Sequence, residues 1–193
     1  MVFIAVNSNM VEELLKVKQS ADCLWDARHM ERVYGHLAEE IGKDLDGADL
    51  LVLCIMSGGL FLTVEILKRI GHCLELNYAH VTRYHGETRG GEIAWVYFPE
   101  QSVKGRDVLL VDDILDEGVT LKNIRDACIS AGANCVRSAV LAVKEHDRRV
   151  PTVSADYVGV SVEDRYVFGC GMDYRGYFRN LDAIYAVEEQ QSG

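Results

Sequence analysis

The chain has 193 residues, with 20 Lys and Arg against 30 Asp and Glu and a formal net charge of -10. That length suits one domain that can bury enough surface to need no disulfide or metal staple. Hydrophobic residues make up 49% and only two are Pro, which excludes disordered and collagen-like chains; the acidic balance argues against nucleic-acid binding, since phosphate contacts need clustered Lys and Arg. The opening segment, MVFIAVNSNMVEELLK, has no basic stretch ahead of an apolar one, and no run approaches the roughly 20 apolar residues of a membrane span. No two of the six cysteines are spaced C-x-x-C, and Cys54 and Cys135, set in apolar runs, read as small buried hydrophobes. A soluble, reduced, cytoplasmic protein without a membrane partner is expected.

Met30, Val33, Tyr34, Leu37, Ala38, Ile41 and Leu45 recur at helical spacing and predict an amphipathic helix. The apolar run Leu50 to Met56 predicts a strand buried on both faces, ended by Ser57-Gly58-Gly59. Leu60 to Ile70 resumes a helical pattern. An apolar segment from Cys73 to Val81, a polar glycine-bearing stretch from Arg83 to Glu92, and a short aromatic segment from Ile93 to Phe98 follow. Val108 to Val111 is a second buried strand, Leu121, Ile124, Cys128 and Ala131 give the next helix its inner face, and Val136 to Val143 is a third core strand. Strands alternating with helices in this order predict βαβ units and a mostly parallel α/β sheet. Tyr157 to Val160, Tyr166 to Phe168 and Ala183 to Val187 are short apolar pieces that extend the sheet or form a small hood over it.

The segment VLLVDDILDEGVTL, Val108 to Leu121, carries the most chemistry. An apolar strand runs into Asp112-Asp113, then Asp116-Glu117, then Gly118-Val119-Thr120 where a helix begins. The second half suits an anion, because free backbone N–H groups and the helix dipole both favour one there. Gly118 permits a tight backbone approach and Thr120 adds a hydroxyl donor. The first half supplies carboxylates that accept hydrogen bonds from sugar hydroxyls. A ribose 5-phosphate satisfies both halves. No P-loop or dinucleotide-binding glycine pattern competes with this reading.

This stretch resembles the signature of the type I phosphoribosyltransferases, which use 5-phosphoribosyl 1-pyrophosphate. The resemblance implies that Asp112 and Asp113 bind the ribose hydroxyls. It also implies that Asp116, Glu117, Gly118, Val119 and Thr120 form the 5-phosphate loop. Further likenesses point to the hypoxanthine-guanine branch. Met56-Ser57-Gly58-Gly59 resembles the pyrophosphate loop, with Ser57 and Gly58 as contacts, a cis Met56–Ser57 bond, and Ser57 where some members carry Lys. Lys144 resembles the lysine that donates to the purine 6-oxo group. Arg165-Tyr166-Val167-Phe168-Gly169 and Met172-Asp173-Tyr174 resemble the purine pocket: Tyr166 would stack on the base, the Val167 backbone would read its edge, and Asp173 would bind magnesium. Arg179 matches an arginine that contacts pyrophosphate. Arg83-Tyr84 falls where most relatives have Ser-Tyr, in a mobile loop that closes over the site.

The resemblance implies one phosphoribosyltransferase domain over 1–193, with a hood from the N-terminal residues and about 150–182. The implied reaction displaces pyrophosphate from ribose carbon 1 by a purine nitrogen, with Mg2+ as cofactor and Asp116 as general base. The partners are phosphoribosyl pyrophosphate and a purine base, in a homodimer or homotetramer, with no nucleic acid. Adenine offers Lys144 no 6-oxo acceptor, while xanthine remains open. The reading from another class is an RNA-binding regulator that keeps the pocket. It would need a basic face, and close basic pairs such as Arg148-Arg149 and Lys16 to Lys18 are few against a net charge of -10.

Overall fold

The computed structural model describes residues 8–83 and 93–188. Tyr84 and the remainder of the glycine-bearing stretch expected to form a mobile loop lie outside the described residues, as does the side chain of Arg83.

Helix α1 (Ser8–Ser20) leads into strand β1 (Asp22–Trp25) and helix α2 (Ala27–Asp44). Asp26 caps α2, its carboxylate accepting from the His29 amide at 2.8 Å. The helix buries Met30, Tyr34, Leu37, Ala38 and Ile41, the stripe that its sequence spacing predicts. Then come β2 (Leu50–Met56), α3 (Leu60–Leu67), β3 (Glu75–Arg83), β4 (Ile93–Tyr97) and the short α4 (Glu100–Val103). The second half contains β5 (Asp107–Leu115), α5 (Val119–Ser130), β6 (Cys135–Lys144), β7 (Tyr157–Val162), β8 (Val167–Phe168) and β9 (Ile184–Ala186).

Six strands form the main sheet in the order β4-β3-β2-β5-β6-β7. All neighbours are parallel except β3 and β4. Alternation along each strand divides the core in two. Leu50 and Val52 of β2, Leu109 and Val111 of β5, and Ala139 and Leu141 of β6 pack with α2 and α3. Leu51, Leu53, Ile55, Val108, Leu110 and Val140 pack with Leu121, Ile124 and Cys128 of α5. Both faces are therefore covered, which is why these strands read as continuous apolar runs. Each fully buried Leu or Ile contributes about 1.5–3 kcal/mol, so the middle of the sheet is the rigid base of the molecule.

A separate antiparallel sheet, β1-β9-β8, joins the two ends of the described chain. Its boundaries differ from the expected hood at 150–182. Tyr157–Val162 pairs with β6 as the edge of the main sheet, and the hood strands are Asp22–Trp25, Val167–Phe168 and Ile184–Ala186. The reason is visible in β7, where Tyr157, Val160 and Val162 are buried against α2 and the main core. Cys135, expected to be buried, is exposed at the start of β6, while Cys54, Cys128 and Cys170 are buried. Among the described residues no helix is long and apolar enough to cross a membrane.

Candidate active site

The carboxyl ends of β2, β5 and β6 open into a cavity of about 790 Å³ roofed by residues of the hood. This is the edge where parallel α/β sheets place ligands. Strand β5 delivers Asp112 and Asp113, and its continuation delivers Asp116. Burial pushes the Asp112 carboxyl well above the ordinary carboxylate range, and the neighbouring Asp113 charge adds to the rise. Burial also raises Asp113, although the Arg179 guanidinium opposes the shift. Asp112 Oδ1 accepts from the Asp113 amide at 3.0 Å and Asp113 Oδ1 from the Ile114 amide at 2.8 Å. Two half-desolvated acceptors thus face the cavity, suited to hydroxyl donors or a cation.

The turn after β5 exposes the start of α5. Gly118, the residue before the helix, has φ +83°, and no side chain caps the helix there. A Cβ at Gly118 would adopt a strained backbone and meet Val153 Cγ1 at 2.8 Å. Gly118 and Thr120 line the cavity. Glu117 and Val119 do not line it, so any part they play in the expected phosphate loop falls to their backbone amides. Across the cavity the Met56–Ser57 bond is cis, as the family resemblance implies. Ser57 and Gly58 line the wall, and Gly58 is packed so closely on the Asp113 carboxylate that a side chain there would collide with it.

The hood closes the other side. Among its loops Cys170, Arg175 and Phe178 have positive φ (50°, 50° and 70°), a concentration of backbone strain beside Asp173 and Arg179. Arg179 donates to the Gly171 carbonyl and to Asp173 Oδ1, both at 2.5 Å, and lies 3.5 Å from Asp113 Oδ2. Asp173 Oδ2 accepts from the Gly176 amide at 2.7 Å. Tyr166 is 52% exposed at the rim and meets Tyr174 edge-on at 5.4 Å. Val167 is buried in β8 beside it.

Lys144, at the end of β6, donates to Asp116 Oδ2 at 2.9 Å. His146 Nε2 lies 2.6 Å from Asp116 Oδ1. Partial burial would raise the Asp116 carboxyl, but the bonds from Lys144 and His146 together outweigh it and hold the group below the usual carboxylate range.

The Phosphoribosyl transferase domain model matches residues 20–175. The chain belongs to the phosphoribosyltransferase family. Two phosphoribosyltransferases similar to it bear the name hypoxanthine-guanine phosphoribosyltransferase. One, from Lactococcus lactis, is 35% identical over 149 residues, covering 77% of this chain and 80% of the relative. The other, from Staphylococcus aureus, is 33% identical over 156 residues, covering 80% and 87%. A crystal structure of a hypoxanthine phosphoribosyltransferase from Staphylococcus aureus superposes with a TM-score of 0.83 at 30% identity, covering 95% of this chain and 96% of that one.

The phosphoribosyltransferase fold brings Ser57, Gly58, Asp112, Asp113, Asp116, Gly118, Thr120, Lys144, Tyr166, Val167, Asp173 and Arg179 around one cavity, from four separate stretches of chain. Sequence reasoning missed the pairing of Asp173 with Arg179 and the whole contribution of His146. The signal for His146 was only its place two residues beyond Lys144. For magnesium, Asp173 offers a hard oxygen ligand at the cavity wall. Among the described residues no cluster of three His, Cys, Asp or Glu side chains could hold a metal. One or two carboxylates with retained water and substrate phosphates suit magnesium, so the donor set fits that ion arriving with a polyphosphate.

Proposed function

We propose that the protein transfers the 5-phosphoribosyl group from phosphoribosyl pyrophosphate to hypoxanthine or guanine, releasing pyrophosphate and the nucleoside monophosphate. The observation that carries this reading is the Lys144–Asp116 pair over the same cavity as the acidic strand end and the open α5 terminus. A 6-oxopurine presents an oxygen acceptor to Lys144 and an imidazole N–H to Asp116; adenine offers no such acceptor. The relatives named above support the same choice.

In this reaction Asp112 and Asp113 take the ribose hydroxyls, and the turn from Asp116 to Thr120 takes the 5-phosphate on its amides and the Thr120 hydroxyl. Ser57, Gly58 and Arg179 receive the pyrophosphate, and Tyr166 lies against the purine with the Val167 backbone at its edge. A purine nitrogen lone pair forms the bond to carbon 1 while the carbon–oxygen bond breaks with its electrons on the departing pyrophosphate. The imidazole proton passes to Asp116, a transfer that contributes about 10²–10⁴ in rate. Asp112 and Asp113 also stabilise positive charge on the ribose ring. Magnesium held at Asp173 supplies charge neutralisation and orientation for the pyrophosphate.

We place this activity in the cytoplasm, in a homodimer or homotetramer with no nucleic-acid partner. The six cysteines, all free, suit a reducing compartment. The test is turnover of hypoxanthine, guanine, xanthine and adenine in parallel, with and without magnesium. The expected outcome is magnesium-dependent turnover of hypoxanthine or guanine and none of adenine. Preference for xanthine would correct the base, and turnover of no purine would refute the reading.

A further inference from the structure

His146 lies just beyond β6, and its side chain is only 4% exposed. Both ring nitrogens are committed. The Arg148 backbone amide lies 3.0 Å from Nδ1, and since that amide can only donate, Nδ1 accepts. In the neutral ring the proton must therefore sit on Nε2, which donates to Asp116 Oδ1 at 2.6 Å. The segment is tied down from behind by Arg149, which donates to the carbonyls of Lys144 at 2.6 Å and Asp116 at 3.4 Å. The tautomer is thus set by backbone, and the orientation of Asp116 is set by the tautomer.

Asp116 accepts from two donors, which play different parts in the reaction proposed above. Lys144 has further N–H groups for the purine oxygen, while His146 has both ring nitrogens engaged, one by Asp116 and one by the Arg148 amide. Resting on that reaction, we infer that His146 is a positioning residue: as a neutral Nε2–H donor it holds Asp116 Oδ1, so that Oδ2, on the side of Lys144, receives the purine proton. Neutrality matters because a second full cation against Asp116 would weaken it as a base. The charged groups around the ring are Asp116 and Lys144, Arg148 in its bidentate pair with Asp164 at 2.6 and 2.7 Å, Arg149 on the backbone, and the chain neighbours Glu145, Asp147 and Glu117. Protonating Nδ1 would set its new N–H against the Arg148 amide and break the arrangement.

The experiment compares wild type, His146→Ala and His146→Gln by steady-state kinetics. Glutamine keeps an N–H donor of similar reach. His146→Ala is expected to lower kcat about 10- to 100-fold, less than loss of the base itself, with the KM for phosphoribosyl pyrophosphate changed by no more than about twofold. His146→Gln should recover most of kcat. Nitrogen-15 spectra of the wild type should show the proton on Nε2. An active wild type with unchanged kcat in His146→Ala, no recovery in His146→Gln, or an Nδ1–H tautomer would each overturn the inference and leave the transfer reaction standing. A wild type inactive on every purine would remove both. If His146→Ala does not fold, the glutamine variant and the spectrum decide.

Discussion

Asp112 is a carboxylate kept where ionisation is costly. Its folded pKa lies above the unfolded value of about 3.9, so the native state binds more protons than the unfolded chain between that value and the raised one. Stability therefore falls as pH rises through that window, a penalty carried by the ionised carboxylate. Asp112→Asn should remove it, raising Tm at neutral pH by about 2–4 °C for each kcal/mol gained in a chain of this size. The same change should sharply reduce turnover by weakening the hold on the ribose hydroxyls. Calorimetry with kinetics on one preparation checks both, and an unchanged Tm at neutral pH would show that the carboxylate costs the fold nothing. The adjacent acids, the glycine and the threonine were readable from the sequence because one short segment contains them all. His146 was not, because its meaning depends on the end of β6 arriving beside the end of β5, and the spacing of residues 116 and 146 carries no hint of that.

Among the elements, the turn into α5 does the most with the least. Gly118 allows the chain to reverse from strand to helix with its amides turned to the cavity. Gly118→Ala puts a side chain into a backbone conformation costing about 1–3 kcal/mol and against Val153. The expected result is a lower Tm and a KM for phosphoribosyl pyrophosphate raised about tenfold, the equivalent of about 1.4 kcal/mol. A Gly118→Ala protein with unaltered KM would show that the turn does not shape the phosphate site. Strands β2, β5 and β6 were legible because burial on both faces leaves nothing but apolar residues in their middles. Helix α1 was not anticipated, although Met10, Val11, Leu14 and Val17 recur at helical spacing; the stripe is short, and Leu14 is buried while Met10 and Val11 stay exposed. The antiparallel pairing of β4 with β3 agrees with a hairpin connection over Arg83 to Glu92, a reading that the sequence left open beside that of a mobile loop.

At the scale of the whole molecule, the hood ties the two ends of the described chain together over a sheet built from its middle. Arg165 is the fastener, donating to Asp22 at 2.6 Å and to the Val187 carbonyl at 2.9 Å, next to Tyr166 at the cavity rim. Arg165→Ala should lower Tm by about 2–4 °C, the shift expected for about 1 kcal/mol at this size. It should raise the KM for the purine more than that for phosphoribosyl pyrophosphate, because Tyr166 and Val167 lie in the hood while the turn proposed for the 5-phosphate belongs to the main sheet and Arg179 is the hood's share of the pyrophosphate site. Equal effects on both would mean that the two halves of the cavity do not move separately. A parallel α/β sheet was evident from the order of elements. The composition of the hood was not, because Tyr157–Val162 is as short and apolar as its true strands and only packing assigns it to the main sheet.

The two ionic contacts across the cavity, Lys144 with Asp116 and Arg179 with Asp173, give the substrate-free protein an internal set of stand-ins. In the reaction proposed above each cation shares or exchanges its carboxylate for a ligand atom, so binding is a change of partners rather than the filling of a vacancy. The same exchange run backwards assists departure: as pyrophosphate loosens from Arg179, Asp173 is already within reach to reclaim it. A site that neutralises itself between turnovers has its own means of letting go.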